Sequence, residues 1–217
     1  MDIKYLGHAS FFIKSKDAKI VTDPFDPKMV GLKFLKTETD IVTVSHAHPD
    51  HTYLDGLSNI ALTVDMPGEF EKSGVRINGY LSYHDKKNGA ERGENILYKI
   101  EADGVKILHC GDIGVIPNDS FVEAVGEIDV LLVPTGGFFT IDANEAVSFI
   151  KKIEPSIVIP MHYAVDGMNE ELKSKLAPVS DFLAKMGAVG LEPVSKLSIR
   201  HEDLHGGMKV VVMNVGV

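Results

Sequence analysis

Within the six residues His46-Ala47-His48-Pro49-Asp50-His51 the chain concentrates three imidazoles and a carboxylate. Only nine histidines occur among 217 residues, so a third of them sit in this one loop. Side chains at i, i+2 and i+4 of an extended backbone point to one side, which groups His46, His48 and Asp50. His51 follows directly, where the chain turns. The loop thus offers nitrogen and oxygen donors in two neighbouring directions, a supply that suits two metal ions better than one. Imidazole and carboxylate favour Zn2+ and also accept Mn2+ or Fe2+. A merely solvated polar loop would not need this clustering.

Four donors do not close two sites. Three later segments bring further candidates to the ends of apolar runs: Tyr83-His84-Asp85, His109-Cys110-Gly111-Asp112 and Pro160-Met161-His162-Tyr163. Together with the loop, these segments resemble the metallo-β-lactamase superfamily. HAHPDH matches its HxHxDH signature, and Val21-Thr22-Asp23-Pro24 resembles its early aspartate motif. His84, Gly111-Asp112 and His162 resemble its three later ligand motifs, in the expected order. The segments YLGHASFFI, VTDPF, HCGDIG, LLVPTGGFFTID and VIPMHY are similar to the small metal-dependent hydrolases related to L-ascorbate-6-phosphate lactonase. The likeness runs from Ile3 to Tyr163 and so covers most of the chain. It implies that His46, His48 and His84 hold one ion, that Asp50, His51 and His162 hold a second, and that Asp112 bridges both.

The chemistry of the side chains supports the same choice. Two divalent cations roughly 3.5–4 Å apart clamp attacking and leaving oxygens and lower the pKa of a shared water. A carboxylate fits between them because each oxygen can serve one ion, and Gly111 before Asp112 permits close backbone approach. If residues 105–109 stay extended, His109 faces away from Asp112. His84 is therefore the expected third imidazole, and His109 a supporting or structural residue. Asp23 either accepts the second N–H of a ligand imidazole or only forms the turn before Pro24. His8 either lines the same cleft or is structural. His201 and His205, four apart, are read as exposed residues of a turn in the tail and not as a metal pair. Gly136-Gly137-Phe138-Phe139-Thr140 lets backbone approach a ligand, but lacks the spacing and lysine of a nucleotide P-loop. Cys110 reads as a buried small hydrophobe.

The elements that must position these groups are short. Residues 3–7, 10–14 and 18–22 read as strands joined by tight turns. The apolar run Ile41-Val42-Thr43-Val44 reads as a strand buried on both faces, delivering the chain into the histidine loop. Strands are also expected at 61–64, 75–77, 80–83, 96–101, 105–109, 130–133 and 156–159. Ala102-Asp103-Gly104 marks a hairpin. Helices are expected at 120–125, at 143–153 with Asp142 as cap, and over 169–186. The tail should hold two strands, 196–200 and 208–214, joined by HEDLHGG. No linker divides the chain, so residues 1–217 are read as one domain. The expected fold class is α/β, a four-layer αββα sandwich of two mixed sheets with helices outside.

Composition sets the remaining bounds. One cysteine excludes an internal disulfide and a multi-thiolate metal site. A formal net charge of −9 argues against a general nucleic-acid binder. No signal-peptide pattern and no run near the roughly 20 apolar residues of a membrane span is present, so a cytoplasmic, membrane-independent protein is expected. The resemblance implies dinuclear metal-dependent hydrolysis of a small ester, lactone or phosphoester by a metal-bridging hydroxide, with Asp50 also passing a proton to the leaving group. The loop DKKNGAERGE, residues 85–94, either meets an anionic substrate or is simply solvated. Rival readings are a phosphodiesterase or nuclease, which should add a basic arm or exosite, an iron-dependent oxidoreductase on the same scaffold, and a non-catalytic metal-binding module. Self-association into a homo-oligomer stays open.

Overall fold

Inward Ile3 and Tyr5 alternate with the more exposed Lys4 and Leu6, and this period of two makes β1 (Asp2–Gly7) a strand with one face in the core. The computed structural model describes residues 1–204 and 206–216. After β1 come β2 (Ser10–Lys14), β3 (Lys19–Thr22), helix α1 (Pro27–Val30), β4 (Thr37–Glu38) and β5 (Ile41–Thr43). β6 (Leu57–Ser58) pairs with β4 in a small ribbon, and β7 (Leu62–Val64) lies beside β5. The second half begins with β8 (Gly68–Lys72), β9 (Val75–Tyr83), β10 (Glu94–Ala102) and β11 (Val105–His109). It continues through α2 (Asp119–Val125), β12 (Val130–Pro134), α3 (Ala143–Ile153), β13 (Ile157–Met161), α4 (Glu170–Lys173) and α5 (Val179–Met186). The tail supplies β14 (Leu197–Ser198) and β15 (Lys209–Val210).

Two mixed sheets result, one ordered β14-β1-β2-β3-β5-β7 and the other β15-β13-β12-β11-β10-β9-β8. Each passes from antiparallel to parallel pairing: β1, β2 and β3 are antiparallel while β3, β5 and β7 are parallel. In the second sheet β8 to β11 are antiparallel and β11, β12, β13 and β15 parallel. Every residue of β5 is buried between parallel neighbours, as its apolar run requires. The core fills the space between the sheets, with Ile3, Phe11, Ile13 and Ile20 from the first and Ile77, Leu97, Ile100 and Ile107 from the second. α3 packs on β12 and is flanked by α2 and α5. This is the mixed α/β architecture of two large sheets with helices. No helix among the described residues is long and apolar enough to cross a membrane.

Local chemistry explains the turns and caps. β10 and β11 are joined by Asp103 and Gly104 at φ 54° and 75°, the twist-matched two-residue hairpin. Asp142 caps α3 by accepting from the backbone of Asn144 and Glu145, and the Glu145 carboxylate accepts from the Asp142 N–H in return.

Three expectations need correction. The single helix over 169–186 is two, α4 and α5, because Pro178 lacks an N–H and disfavours helix at Ala177. Residues 75–77 and 80–83 are one strand, β9, which runs straight through Asn78 and Gly79 because both pair with β10. The tail strands are two residues each and do not form a hairpin: β14 joins β1, and β15 joins β13 in the other sheet. His201 opens a short 3-10 turn and hydrogen-bonds the Gly104 carbonyl, whereas His205 lies outside the described residues.

Two bonds tie β10 of the second sheet to the segment that carries the histidine loop, one of them from the Ile96 N–H to the Ser45 carbonyl at 2.9 Å. The buried Tyr98 hydroxyl donates to the Val44 carbonyl at 2.9 Å. Replacing it by Tyr98→Phe strands that carbonyl in the interior, and urea denaturation should show a loss of about 1–3 kcal/mol with the fold retained.

Candidate metal centre

Six strands end at one edge of the sandwich, and a chemistry-bearing residue follows each. His8 directly follows β1, Asp23 follows β3, His84 follows β9 and His162 follows β13. His46 comes three residues after β5, and Asp112 three after β11. His8, Asp23 and His162 stand at positive φ, 56°, 38° and 52°, although none is glycine. Such backbone costs about 1–3 kcal/mol per residue and persists only where surroundings enforce it. Here cross-chain bonds do so: the His162 N–H donates to the His8 carbonyl at 2.8 Å, and the Asp23 N–H to the Thr43 carbonyl at 2.9 Å. Two glycines are required by crowding. A Cβ on Gly111 would collide with Ser45 and Asn95, and one on Gly136 with the His162 carbonyl.

Asp23 is fully buried and organises the histidine loop from behind. Its carboxylate accepts from the Ser45 N–H at 2.7 Å, the Ser45 hydroxyl at 2.6 Å and His51 Nδ1 at 2.9 Å. The Ser45 hydroxyl in turn lies 2.9 Å from His46 Nδ1. Because that hydroxyl donates to Asp23, it must accept from His46, which puts the His46 proton on Nδ1. Both His46 and His51 therefore present Nε2 forward. His109 is behind the site as well, with Nε2 2.7 Å from the Ala9 carbonyl, and takes no place among the forward groups.

In front of this brace the donors converge. Asp112 Oδ2 lies 3.3 Å from His51 Nε2, 3.4 Å from His84 Nε2 and 3.1 Å from His162 Nε2. His46, His48 and His84 offer nitrogens within 4.8 Å of one another, and so do His8, His51 and His162. A third group of the same kind, Asp23, His46 and His51, is already spent on the hydrogen bonds just described. Asp50 is half-buried at the mouth, its Oδ2 3.1 Å from His8 Nε2 and 3.8 Å from His51 Nε2. His8 thus stands inside the cluster, between Asp50 and the His162 ring at 4.2 Å.

Three of the polar atoms facing the centre, His46 Nε2, His51 Nε2 and Asp112 Oδ1, are buried without hydrogen-bond partners. Orphaned donors and acceptors in a dry interior are costly. An all-nitrogen-and-oxygen set in two groups of three imidazoles around one carboxylate fits divalent ions well. The charges tell the same story. Burial alone would raise the Asp112 carboxyl, yet His162 and His51 hold it well below the usual carboxylate range. Burial would lower His51, but Asp112 and Asp23 keep it well above its ordinary value, so a proton stands where a cation fits. Burial and the neighbouring His51 pull His46 down to about 2, and burial with His162 pulls His8 down to about 4. Cys110 is buried, which pushes its thiol up and leaves it unreactive.

Sequence reasoning missed three supports. Asn95 accepts from the Asp112 N–H at 2.9 Å and donates to the Cys110 carbonyl at 2.9 Å, fixing the turn that carries Asp112. Ser45 relays Asp23 to His46. Tyr5 donates its hydroxyl to the His8 carbonyl at 2.7 Å. The first two leave a signal only in hindsight, as polar residues in otherwise apolar strand ends.

Beside His84 lies a cavity of about 290 Å³. Its wall is the 85–92 loop, folded around the Asp85 carboxylate, which accepts from the backbone N–H of Lys87, Gly89, Glu91 and Arg92. The opposite wall is Phe138 and Phe139, with the Arg92 guanidinium 5.8 Å over the Phe139 ring.

Comparison with known proteins agrees with this geometry. The family model described as the beta-lactamase superfamily domain matches residues 2–162. A protein of Thermococcus kodakarensis named UPF0173 metal-dependent hydrolase is 33% identical over 189 residues, covering 74% of this chain and 84% of that protein. A Thermotoga maritima structure assigned to the Zn-dependent hydrolases of the metallo-beta-lactamase superfamily is 35% identical, covers 99% of this chain and 98% of its own, and superimposes with a TM-score of 0.77. The fold alone is shared with Igni18, a metallo hydrolase of Ignicoccus hospitalis, at 19% identity over 92% of this chain and 99% of that one, with a TM-score of 0.64.

Two outcomes follow. Asp23→Ala removes the acceptor behind His46 and His51 and should weaken zinc binding about 10- to 100-fold in a titration against a chromophoric chelator. The second concerns pH. His8, His46, His84 and His109 are held below their ordinary value of 6.5 in the fold, and His51 above it. The penalty from the first four is absent above 6.5 and grows as pH falls; the gain from His51 is present below 6.5 and is lost as pH rises through its folded value. Four groups outweigh one. Chelator-treated protein should therefore melt several degrees lower at about pH 5 than at about pH 7 in a thermal scan.

Proposed function

The chain belongs to the beta-lactamase superfamily domain family, and on that premise we propose that it is a dinuclear metal-dependent hydrolase of a small ester, lactone or phosphoester. The observation that carries the reading is the pair of three-imidazole groups arranged about the buried Asp112 carboxylate, with His46 Nε2, His51 Nε2 and Asp112 Oδ1 lacking hydrogen-bond partners. His46, His48 and His84 would hold one ion, and Asp50, His51 and His162 the other, with Asp112 shared and His8, the third imidazole of the second group, bonded to Asp50. Zinc is the first choice: it suits nitrogen and oxygen donors, and the Thermotoga relative is described as Zn-dependent. When bound, such ions polarise the electrophilic centre of the substrate and lower the pKa of a water.

The side chains define the rest of the chemistry. Asp50 is the acidic group of the cluster that reaches the mouth, and its His8 bond fixes one oxygen while the other can carry a proton to a leaving group. Phe138 and Phe139 wall the cavity on its apolar side and limit water there. Arg92 supplies charge. Among the ionised side chains lining that cavity, Lys86 is paired with Glu145 at 2.5 Å, Glu91 with Lys87 at 2.6 Å, and Asp85 and Asp142 are used as backbone caps. The Arg92 guanidinium has no ion-pair partner among the described residues, which favours a substrate bearing an anionic group.

A screen of lactones, phosphodiesters and thioesters with zinc- or manganese-loaded protein should give turnover of one class. Asp112→Ala should lower kcat/KM by about three orders of magnitude or more while circular dichroism shows the fold intact. Full hydrolysis by that variant would sink the assignment.

A further inference from the structure

The outward side of the first sheet collects charge of one sign. Two adjoining clefts there share Lys4, Phe12 and Lys19, and their linings add Lys33, Lys36, Lys14 and Lys196. The acids in the same linings are Asp2 and Glu38, each 3.2 Å from a lysine, Lys196 and Lys19 respectively. Six lysines less two carboxylates leave +4 on this patch of a chain whose net charge is −9, so the remainder carries −13. Lys4, Lys14, Lys33 and Lys36 have no acidic partner within ion-pair distance among the described residues. None of this charge serves the metal centre.

The patch is concave. Between the sheet and the loop 33–38 lies a cavity of about 390 Å³. Leu6, Phe12 and Phe34 form its apolar floor, and Leu35, 58% exposed, stands at its mouth with nothing over it. The loop is held in place: β4 pairs with β6, and the Phe34 ring packs edge-on against Phe25 at 5.1 Å and Tyr53 at 6.0 Å. A preformed, largely apolar cleft with a few convergent charges has the anatomy of a small-molecule site.

The geometry points to a binding site for a small amphipathic anion, a carboxylate on an aliphatic chain, lying in this cleft. Its chain covers Leu6, Phe12 and Phe34, and its head group sits among Lys4, Lys33 and Lys36. A nucleic-acid strand fits worse, because its backbone would cross an apolar floor and the −13 elsewhere would repel it.

Calorimetric titration of the full chain with decanoate, below its micellar concentration, tests the site. Expected are one saturable site per chain, weaker binding of decanol, and affinity that falls with added salt. The double substitution Lys4→Glu with Lys33→Glu should weaken decanoate about tenfold or more, while Arg92→Ala leaves it unchanged. If the reversed pair does not fold, Lys33→Gln with Lys36→Gln, both exposed, makes the same comparison. Absence of saturation overturns the proposal, as does equal affinity in the lysine variants. Loss in Arg92→Ala alone would put the ligand in the metal cavity, and tighter binding of oligouridylate would make the patch a polyanion surface. Either result, or a dimer that decanoate dissociates, also overturns it.

Discussion

The Asp23 carboxylate is the constraint from which the centre is built. It is wholly buried, and a buried charge is tolerable only when it is paired and hydrogen-bonded. Its three bonds go to Ser45 twice and to His51, so one side chain fixes both ends of the histidine loop. The consequence is tautomeric as well as geometric, since Asp23 and Ser45 keep protons on the rear nitrogens of His46 and His51 and turn the front nitrogens toward the centre. His84 and His162 have no such brace, their Nδ1 atoms being buried and unpartnered. Their aim is set by backbone instead, at the ends of β9 and β13.

That division explains why the strained residues lie where they do. A strand that simply continued past β1, β3 or β13 would carry its next side chain away from the edge or onto the far face of the sheet. Left-handed backbone at His8, Asp23 and His162 turns each one inward at the first residue after the strand. The turns are mutually enforcing, because the His8 carbonyl accepts both the His162 N–H and the Tyr5 hydroxyl. Gly111 and Gly136 let the loops bearing Asp112 and Phe138 approach the same point without side-chain collision. Strand direction supplies the common edge: β3, β5 and β7 run parallel in the first sheet and β11, β12 and β13 in the second, so their C-terminal ends fall together within each sheet.

Much of this was legible in the sequence, for reasons that are local. The apolar run 41–44 could only be a buried strand, and it leads straight into HAHPDH. Asp103-Gly104 fixed a hairpin by its backbone preferences alone, and Asp142 with Glu145 fixed the start of α3. What stayed hidden depends on distant partners. Nothing near residue 8 says that its imidazole meets Asp50, forty-two positions away. Asn95 looked like one polar residue in a strand, and its role exists only because the Asp112 turn folds onto it. The tail strands are two residues each, and their partners in different sheets are chosen by tertiary packing that leaves no periodicity to read. The break in the 169–186 helix is written in Pro178, which stands at the start of α5 and closes off the helix before it.

Reactivity and selectivity are therefore built from different kinds of structure. The donors sit on sheet ends that are buried, braced and mutually strained, and their arrangement changes only if the sandwich itself changes. The cavity beside them is shaped by the 85–92 loop and the Phe138-Phe139 turn, neither of which belongs to a sheet. The first is organised by a single carboxylate, Asp85, through four backbone N–H groups, so its side chains, Arg92 among them, are free to differ without unfolding the loop. The second presents Phe138 to solvent at positive φ, an apolar ring held out where a substrate would cover it. A scaffold of this design can keep one reaction chemistry while exchanging substrates, because the residues that would choose the substrate carry none of the bonds that hold the convergent histidines and Asp112.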